Sequence, residues 1–362
     1  GTMVLPFLSK YLKEDLHFTY SQVGWIMVSF GCGSIIGSWL GGKLSDKIGF
    51  YKIMIFSLLT SGFAFFGLQF ITSFEGLLIA MFLIMTVADM FRPAMFVSLG
   101  AYAKPENRTR ALTLVRLAIN LGFAAGPALG GLLIMSVGYK GLFWVDGASC
   151  ILAILIFWIK VKEKKKSKYT DKEHPGEVLT HSVFKDTPFW IFLTGTLITG
   201  ILFFQLFTTI PLYHKEQFNL SEFQTGLLLT LNGILVFFLE MPIVSYIEKH
   251  KINKLKVITY GCLAMAISIY LLLVNNWAGI LIIMMIFMTF AEMFAFPFSN
   301  SFAMSRAPKG HEGRYMAIFT MSYSLAHILS AKTGMEIIDR FSYQTNWFFM
   351  GTLGVSDVLL FI

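Results

Sequence analysis

The stretch "GGKLSDKIGFYKIM", Gly41 to Met54, gathers Lys43, Asp46, Lys47 and Lys52 around Gly41, Gly42 and Gly49. Runs almost free of charge flank it: YSQVGWIMVSFGCGSIIGSWL before (20–40) and IFSLLTSGFAFFGLQFIT after (55–72). Apolar runs of that length cross a ~30 Å hydrocarbon core as helices. A short, basic, glycine-bounded link between two of them reads as a sharp turn at a membrane surface.

Composition agrees. The 362 residues are 56% hydrophobic and only 14% charged, with a mean hydropathy of +0.67. A soluble domain carries about a quarter charged residues, so this chain lacks the charge to cover a surface facing water. The class expected is an all-α polytopic membrane protein. Its formal net charge of +8 points to topology and not to a nucleic-acid partner, because the basic residues fall on one side. Cys32, Cys150 and Cys262 lie inside apolar runs without metal-ligand or CxxC spacing, and read as small packing residues. No metal and no cofactor are expected.

Polar breaks delimit twelve expected spans, at 1–12, 20–41, 51–72, 76–102, 110–136, 142–160, 188–213, 223–247, 255–275, 277–304, 314–338 and 346–362. They are too long and too evenly apolar for barrel strands. A twelve-residue helix rises only about 18 Å, so the first span is expected to be incomplete, and the last, ending at Ile362 without a polar tail, is read likewise. Of the 29 lysines and arginines, 21 fall on the loops after even-numbered spans and in the linker, against five on the opposite loops. That bias puts Gly41–Met54 in the cytoplasm.

The one long polar stretch, VKEKKKSKYTDKEHPGEVLTHSVFKD, divides the chain into an N-terminal six-helix bundle (1–160), a cytoplasmic linker (161–187) and a C-terminal six-helix bundle (188–362). The halves repeat with a shift of 202 to 204 residues. Ser45–Lys52 falls on Ile247–Lys254, ADMFRP (Ala88–Pro93) on AEMFAFP (Ala291–Pro297), and Gly130 on Gly334. Duplicated halves with a site at their interface are a transporter architecture.

Two stretches resemble a known family. GGKLSDKIGFYKI is similar to the loop 2–3 signature of the major facilitator superfamily, with Gly42, Leu44, Asp46, Gly49 and Lys52 in place and Phe50 where a basic residue is usual. RLAINLGFAAGPALGGLL is similar to the helix 5 antiporter signature, with Gly122, Gly126, Pro127, Gly130 and Gly131. The chain resembles the multidrug, drug:proton antiporter-like members. The resemblance implies a two-bundle fold that works by alternating access, with Asp46 latching the cytoplasmic ends of the two halves. Gly122, Gly126 and Gly130 share one helix face and permit close helix approach, while Pro127 bends the helix. This element either packs helices, seals the outer side against protons, or does both.

Charges at membrane depth cost several kcal/mol unless paired or facing water, and so mark candidate sites. Asp89 and Glu292 occupy repeat-related positions in the fourth and tenth spans. Arg92, three residues after Asp89, is expected on the same helical face, as a structural ion pair or as a tuning charge. Arg116 enters the fifth span, and Glu240 lies in the inner third of the eighth, near Pro242. Lys332 and Glu336 are expected to pair locally, and His327 to be packed. Asp89 or Glu292 is expected to carry a coupled proton.

The function expected is proton-coupled export of hydrophobic small molecules. A proton-coupled importer resembling oligopeptide symporters is an alternative, although Phe189–Tyr213 has no Lys or Arg of the kind those typically pair with the helix 10 acid. A non-transporting receptor or scaffold is a second alternative. No nucleophile–base pair or phosphate loop suggests an enzyme. The partners expected are protons, a small-molecule substrate and the lipid bilayer, with no nucleic acid, for a monomer in a bacterial inner membrane driven by the proton gradient.

Overall fold

A computed structural model describes residues 3–102, 108–163, 183–274, 276–306 and 312–361. Among these it is all helix and turn. The N-terminal half holds α1 (Leu5–Lys10, prolonged by a π turn to Asp15), α2 (Tyr20–Ile48), α3 (Phe50–Leu68), α4 (Phe74–Ala88), α5 (Phe91–Tyr102), α6 (Arg108–Val137) and α7 (Tyr139–Lys160). The C-terminal half holds α8 (Thr187–Phe204), α9 (Ile210–Phe218), α10 (Glu222–Lys249), α11 (Lys254–Leu271), α12 (Ile280–Arg306), α13 (Glu312–Arg340) and α14 (Tyr343–Leu360). Nine segments among the described residues are long and apolar enough to cross a membrane. Most of the expected linker lies outside the described residues.

The opening stretch is more helical than its glycines suggest. α2 carries GGKLSDKI as its last turns, and the link to α3 is the single residue Gly49, with φ of +102°. An L side chain rarely adopts that backbone conformation, so glycine is required there.

Two expected single spans are broken. The fourth is interrupted at Asp89–Met90, between α4 and α5. Pro93 has no N–H to offer the carbonyl four residues back, that of Asp89, and its ring crowds the same position. Ser57 of α3 donates to the carbonyls of Val87 (2.7 Å) and Ala88 (3.1 Å), satisfying groups that lipid cannot. The seventh span breaks at Thr208–Thr209, three and two residues before Pro211 in the first turn of α9. There Ser9 of α1 donates to the Thr208 carbonyl at 2.8 Å, so a freed backbone group in one half is satisfied by the other.

The repeat appears in detail that the residue types alone did not advertise. α2 and α10 both begin with a capping box, Thr19 with Gln22 and Ser221 with Gln224. The box is followed by paired glycines, Gly24 and Gly31 in α2, Gly226 and Gly233 in α10, each 202 residues apart. These glycines are where the halves meet. A Cβ at Gly31 would stand 2.3 Å from the Ile328 side chain of α13, and one at Gly233 would stand 2.5 Å from the Ala124 backbone of α6.

Side-chain clusters show on which side the halves touch. On the side away from the lysine-rich loops, Leu212, Ala331 and Met335 of the C-terminal half join a core built on Phe7, Leu12, Ile26 and Phe143 of the N-terminal half. On the lysine-rich side each core is private. One draws only on residues of the N-terminal half around Phe50, Met54 and Ile154, the other only on residues of the C-terminal half around Phe189, Ile258 and Phe319. Cross-half hydrogen bonds among the described residues follow the same division: Ser9 to Thr208, Lys10 to Glu222, Tyr20 to Glu216 and Lys332 to Ser21 all lie on the far side. The protein is closed there and parted on the lysine-rich side.

Candidate functional site at the seam between the halves

Both acids flagged in the sequence lie beside the innermost contacts between the halves. Asp89 sits at the α4–α5 break, where the carboxylate accepts a hydrogen bond from Ser34 of α2. Ser34 is one turn beyond Gly31, the glycine that meets α13. Glycines recurring every four residues along α2 bring the two helices to backbone contact. Cβ atoms at Gly33, Gly37 and Gly41 would stand 2.4, 2.3 and 2.5 Å from the carbonyl oxygens of Phe82, Thr86 and Met90.

The expectation that Arg92 shares a face with Asp89 does not survive the break. The i, i+3 relation holds only along a continuous helix, and here α4 ends before Asp89 while Arg92 opens α5. Arg92 is exposed, and among the described residues it makes no ion pair with Asp89, but it stays near enough for its charge to act on that carboxyl.

Glu292 lies on α12, half-buried, and its partner is a neutral amide. Asn232 of α10 donates to Glu292 Oε2 and to Thr289 Oγ1, both at 3.0 Å. The Thr289 hydroxyl donates to the Met285 carbonyl at 2.6 Å, which fixes its oxygen as the acceptor. Asn232 directly precedes Gly233, so the Glu292 site adjoins the contact with α6. Glu240, two turns further along α10, is half-buried and near enough for its charge to act on Glu292. A carboxylate held by an amide, with no cation paired to it among the described residues, can gain a proton without stranding a positive partner.

The remaining flagged residues divide. Arg116 lies on α6 and Asp46 on the last turn of α2, and both side chains fall outside the described residues. Lys52 is exposed on α3, Gly42 has open space around it, and Gly49 makes the turn. The helix 5 signature is shared between two neighbours. Gly130 packs against Met3, Phe7 and Leu142 within its own half, whereas Gly131 meets the backbone of Glu222 and Phe223 in the other. The Pro127 carbonyl lies 2.3 Å from where a Cβ at Gly226 would be. Gly122 is half-buried and Gly126 buried on the same helix. The face that meets α10 is thus Ala124, Pro127, Ala128 and Gly131, offset from the expected glycine stripe.

Several participants were missed. Ser34 and Asn232, small neutral polar residues in apolar runs, carry no signal beyond their depth. The glycine pairs of α2 and α10 were readable as a seven-residue spacing recurring 202 residues on. Lys10, fully buried, pairs with Glu222 across the seam at 3.0 Å. The expected Lys332–Glu336 pair forms at 2.6 Å, and Lys332 also donates to Ser21 of the other half at 3.3 Å. His327 is packed, its ring 5.3 Å from that of Phe30 and 4.8 Å from that of Phe204.

Two helical halves meeting along glycine seams, closed at one end, with an acid beside the seam in each half, have the architecture of a membrane carrier. The family model of the Major Facilitator Superfamily matches residues 1–331, and the chain belongs to that family, whose members are carriers and not enzymes. Similar curated proteins include an uncharacterized MFS-type transporter, YttB, of Bacillus subtilis, 24% identical over 95% of this chain and 86% of its own. The Na(+), Li(+), K(+)/H(+) antiporter of Planococcus maritimus is 22% identical over 99% of this chain and 91% of its own. The quinolone resistance protein NorA of Staphylococcus aureus is 26% identical over 80% of this chain and 74% of its own. Solved structures share the fold. A POT family transporter in complex with 5-aminolevulinic acid superposes with a TM-score of 0.78 at 16% identity, covering 99% of this chain and 91% of that one. The nucleoside transporter NupG gives 0.76 at 14% identity, covering 99% and 94%.

Proposed function

We propose that the protein exports hydrophobic small molecules in exchange for protons, by alternating access between the present state, open to the cytoplasm, and one open outward. The energy source is the proton gradient, no cofactor takes part, and the setting is the inner membrane of a bacterium with the lysine-rich side cytoplasmic. The observation that carries this reading is the Glu292–Asn232 pair. A membrane-depth carboxylate beside the seam, bonded to a neutral amide at 3.0 Å, changes charge without breaking a salt bridge. Asp89, bonded to Ser34 beside the other seam, is its repeat-related counterpart.

Protonation removes a charge that otherwise needs water from the open cavity. The neutral form tolerates closure around it, and the ionised form favours the side that is wet. Relatedness to NorA and to the Planococcus antiporter supports exchange and the drug-like substrate class. The fold is equally that of importers, so the direction rests on those relatives.

The test is transport in proteoliposomes with an imposed proton gradient, using a panel of lipophilic cations and short peptides. Glu292→Gln, which fixes the site neutral, is expected to abolish gradient-driven transport of a lipophilic cation while the purified protein stays folded. Undiminished transport by that variant defeats the assignment, and peptide-driven proton uptake by the unmodified protein replaces export with import.

A further inference from the structure

A second acid lies deeper in the C-terminal half, away from the seam. Asp357 of α14 is fully buried, and the Thr199 hydroxyl of α8 donates to its Oδ2 at 2.7 Å. Its other oxygen, Oδ1, is buried without a hydrogen-bond partner. The Cys262 thiol of α11 lies 3.4 Å from the same hydroxyl. Towards the lysine-rich side the site is shut. A Cβ at Gly195 would be 2.4 Å from the Phe361 ring and 2.9 Å from Oδ1, which leaves no gap between them for a water.

Among the described residues no cation balances this carboxyl. α14 packs on α8, α11 and α13. α8 has no charged residue between Thr187 and Phe204. α11 offers Cys262 to the site, and its lysines, Lys254 and Lys256, lie in its first turn, at the lysine-rich end. α13 offers Tyr323, whose phenol is within electrostatic range of both Cys262 and Asp357. Its described cations, Lys332 and Arg340, pair with Glu336 two turns or more away. Among the described residues no ion pair includes Asp357.

An ionised carboxylate with only the neutral Thr199 hydroxyl and Cys262 thiol beside it, in a dry, bilayer-depth site, is penalised by several kcal/mol, whereas the neutral acid is penalised only as a polar group. The partnerless Oδ1 is where a proton removes the charge. Tyr323 gives the site a boundary with the seam: half-buried, it packs edge-on against Phe296 at 5.4 Å, one turn from Glu292 on α12.

We propose that Asp357 is a second proton-binding site of the C-terminal half, occupied separately from Glu292 and screened from the cavity by Tyr323. The ligand is a proton bound at Oδ1, with no bond broken and no co-reactant. This stands whichever way the substrate moves, so it fails or survives independently of the export reading.

Infrared spectra of the lipid-reconstituted protein at neutral pH, without substrate, test it. Expected is one protonated-carboxyl carbonyl band that disappears in Asp357→Asn and persists in Glu292→Gln. In Thr199→Val, which removes the hydroxyl donor, the same band is expected to keep its intensity and move to higher frequency. A spectrum unchanged by both Asp357→Asn and Thr199→Val overturns the proposal. So does a band that is absent in sodium and appears only when sodium is replaced by choline, since the site then holds a metal cation. If Asp357→Asn does not fold, the Thr199→Val shift decides alone.

Discussion

In the alternating-access cycle proposed above, the close approach of α10 to α6 belongs to the state closed on the far side, and this makes Gly233 a lever on the conformational balance. A methyl group placed there would lie 2.5 Å from both N and Cα of Ala124 and 2.8 Å from the Phe123 carbonyl carbon. Those atoms are backbone and cannot rotate away. Carbon atoms in comfortable contact are about 3.5 Å apart, so Gly233→Ala forces the helices apart by about 1 Å. Overpacking of that degree costs about 1–3 kcal/mol. The penalty falls on the closed seam and is relieved when the halves rock apart, so the outward-open population is expected to rise about 5- to 150-fold relative to the present state. Spin labels at Asp15→Cys and Phe341→Cys, exposed positions in opposite halves on the closed side, report this by pulsed electron resonance. The longer-distance population is expected to grow in Gly233→Ala and to stay at the parental level in Gly67→Ala, because nothing lies within 4 Å of a Cβ at Gly67. If Gly233→Ala leaves the distances unchanged, the glycine seam does not set the balance and the reasoning fails.

Other consequences follow from the charges outside the central site. Glu222→Gln strips the fully buried Lys10 of its counter-ion, and removing one partner of a buried pair costs about 3–5 kcal/mol. The double variant Lys10→Met with Glu222→Gln should melt at a higher temperature than Glu222→Gln alone, and an equal or lower melting temperature would contradict a buried ion pair. At the lysine-rich surface, Arg306 beside Asp186 holds its carboxyl below the usual carboxylate range, helped by Tyr315 and the Phe189 N–H. With the folded value depressed, this stabilisation is present above the unfolded value and is lost as pH falls through the folded one. Stability at neutral pH should therefore be insensitive to Asp186 titration. Because the pair is exposed, Arg306→Gln should lower stability by only about 0.2–1 kcal/mol, less still at high salt, as thermal melts at two ionic strengths would show.

Apolar length and loop charge were enough to set out most of the helices, although the fourth and seventh expected spans are each broken in two. Burial of the backbone in lipid allows no other spanning form for such runs, and the lysine bias needs no tertiary information. The depth expected for Asp89 and Glu292 rests only on distance along a helix. What could not be read was the company those acids keep. Arg92 looked like an ion-pair partner of Asp89 on a continuous helix, and Pro93, four residues after the acid, breaks that helix and leaves Arg92 acting on it only through its charge. Asn232 became the partner of Glu292 only when α10 was laid beside α12. Gly130 and Gly131, adjacent in sequence, face different neighbours, and only packing assigns them to one half or the other. Along one helix, then, composition and period fix what a residue is and how deep it lies. Which residue faces it from another helix, and on which side the halves are closed, is decided by backbone approach at a few glycines, a property of two surfaces together.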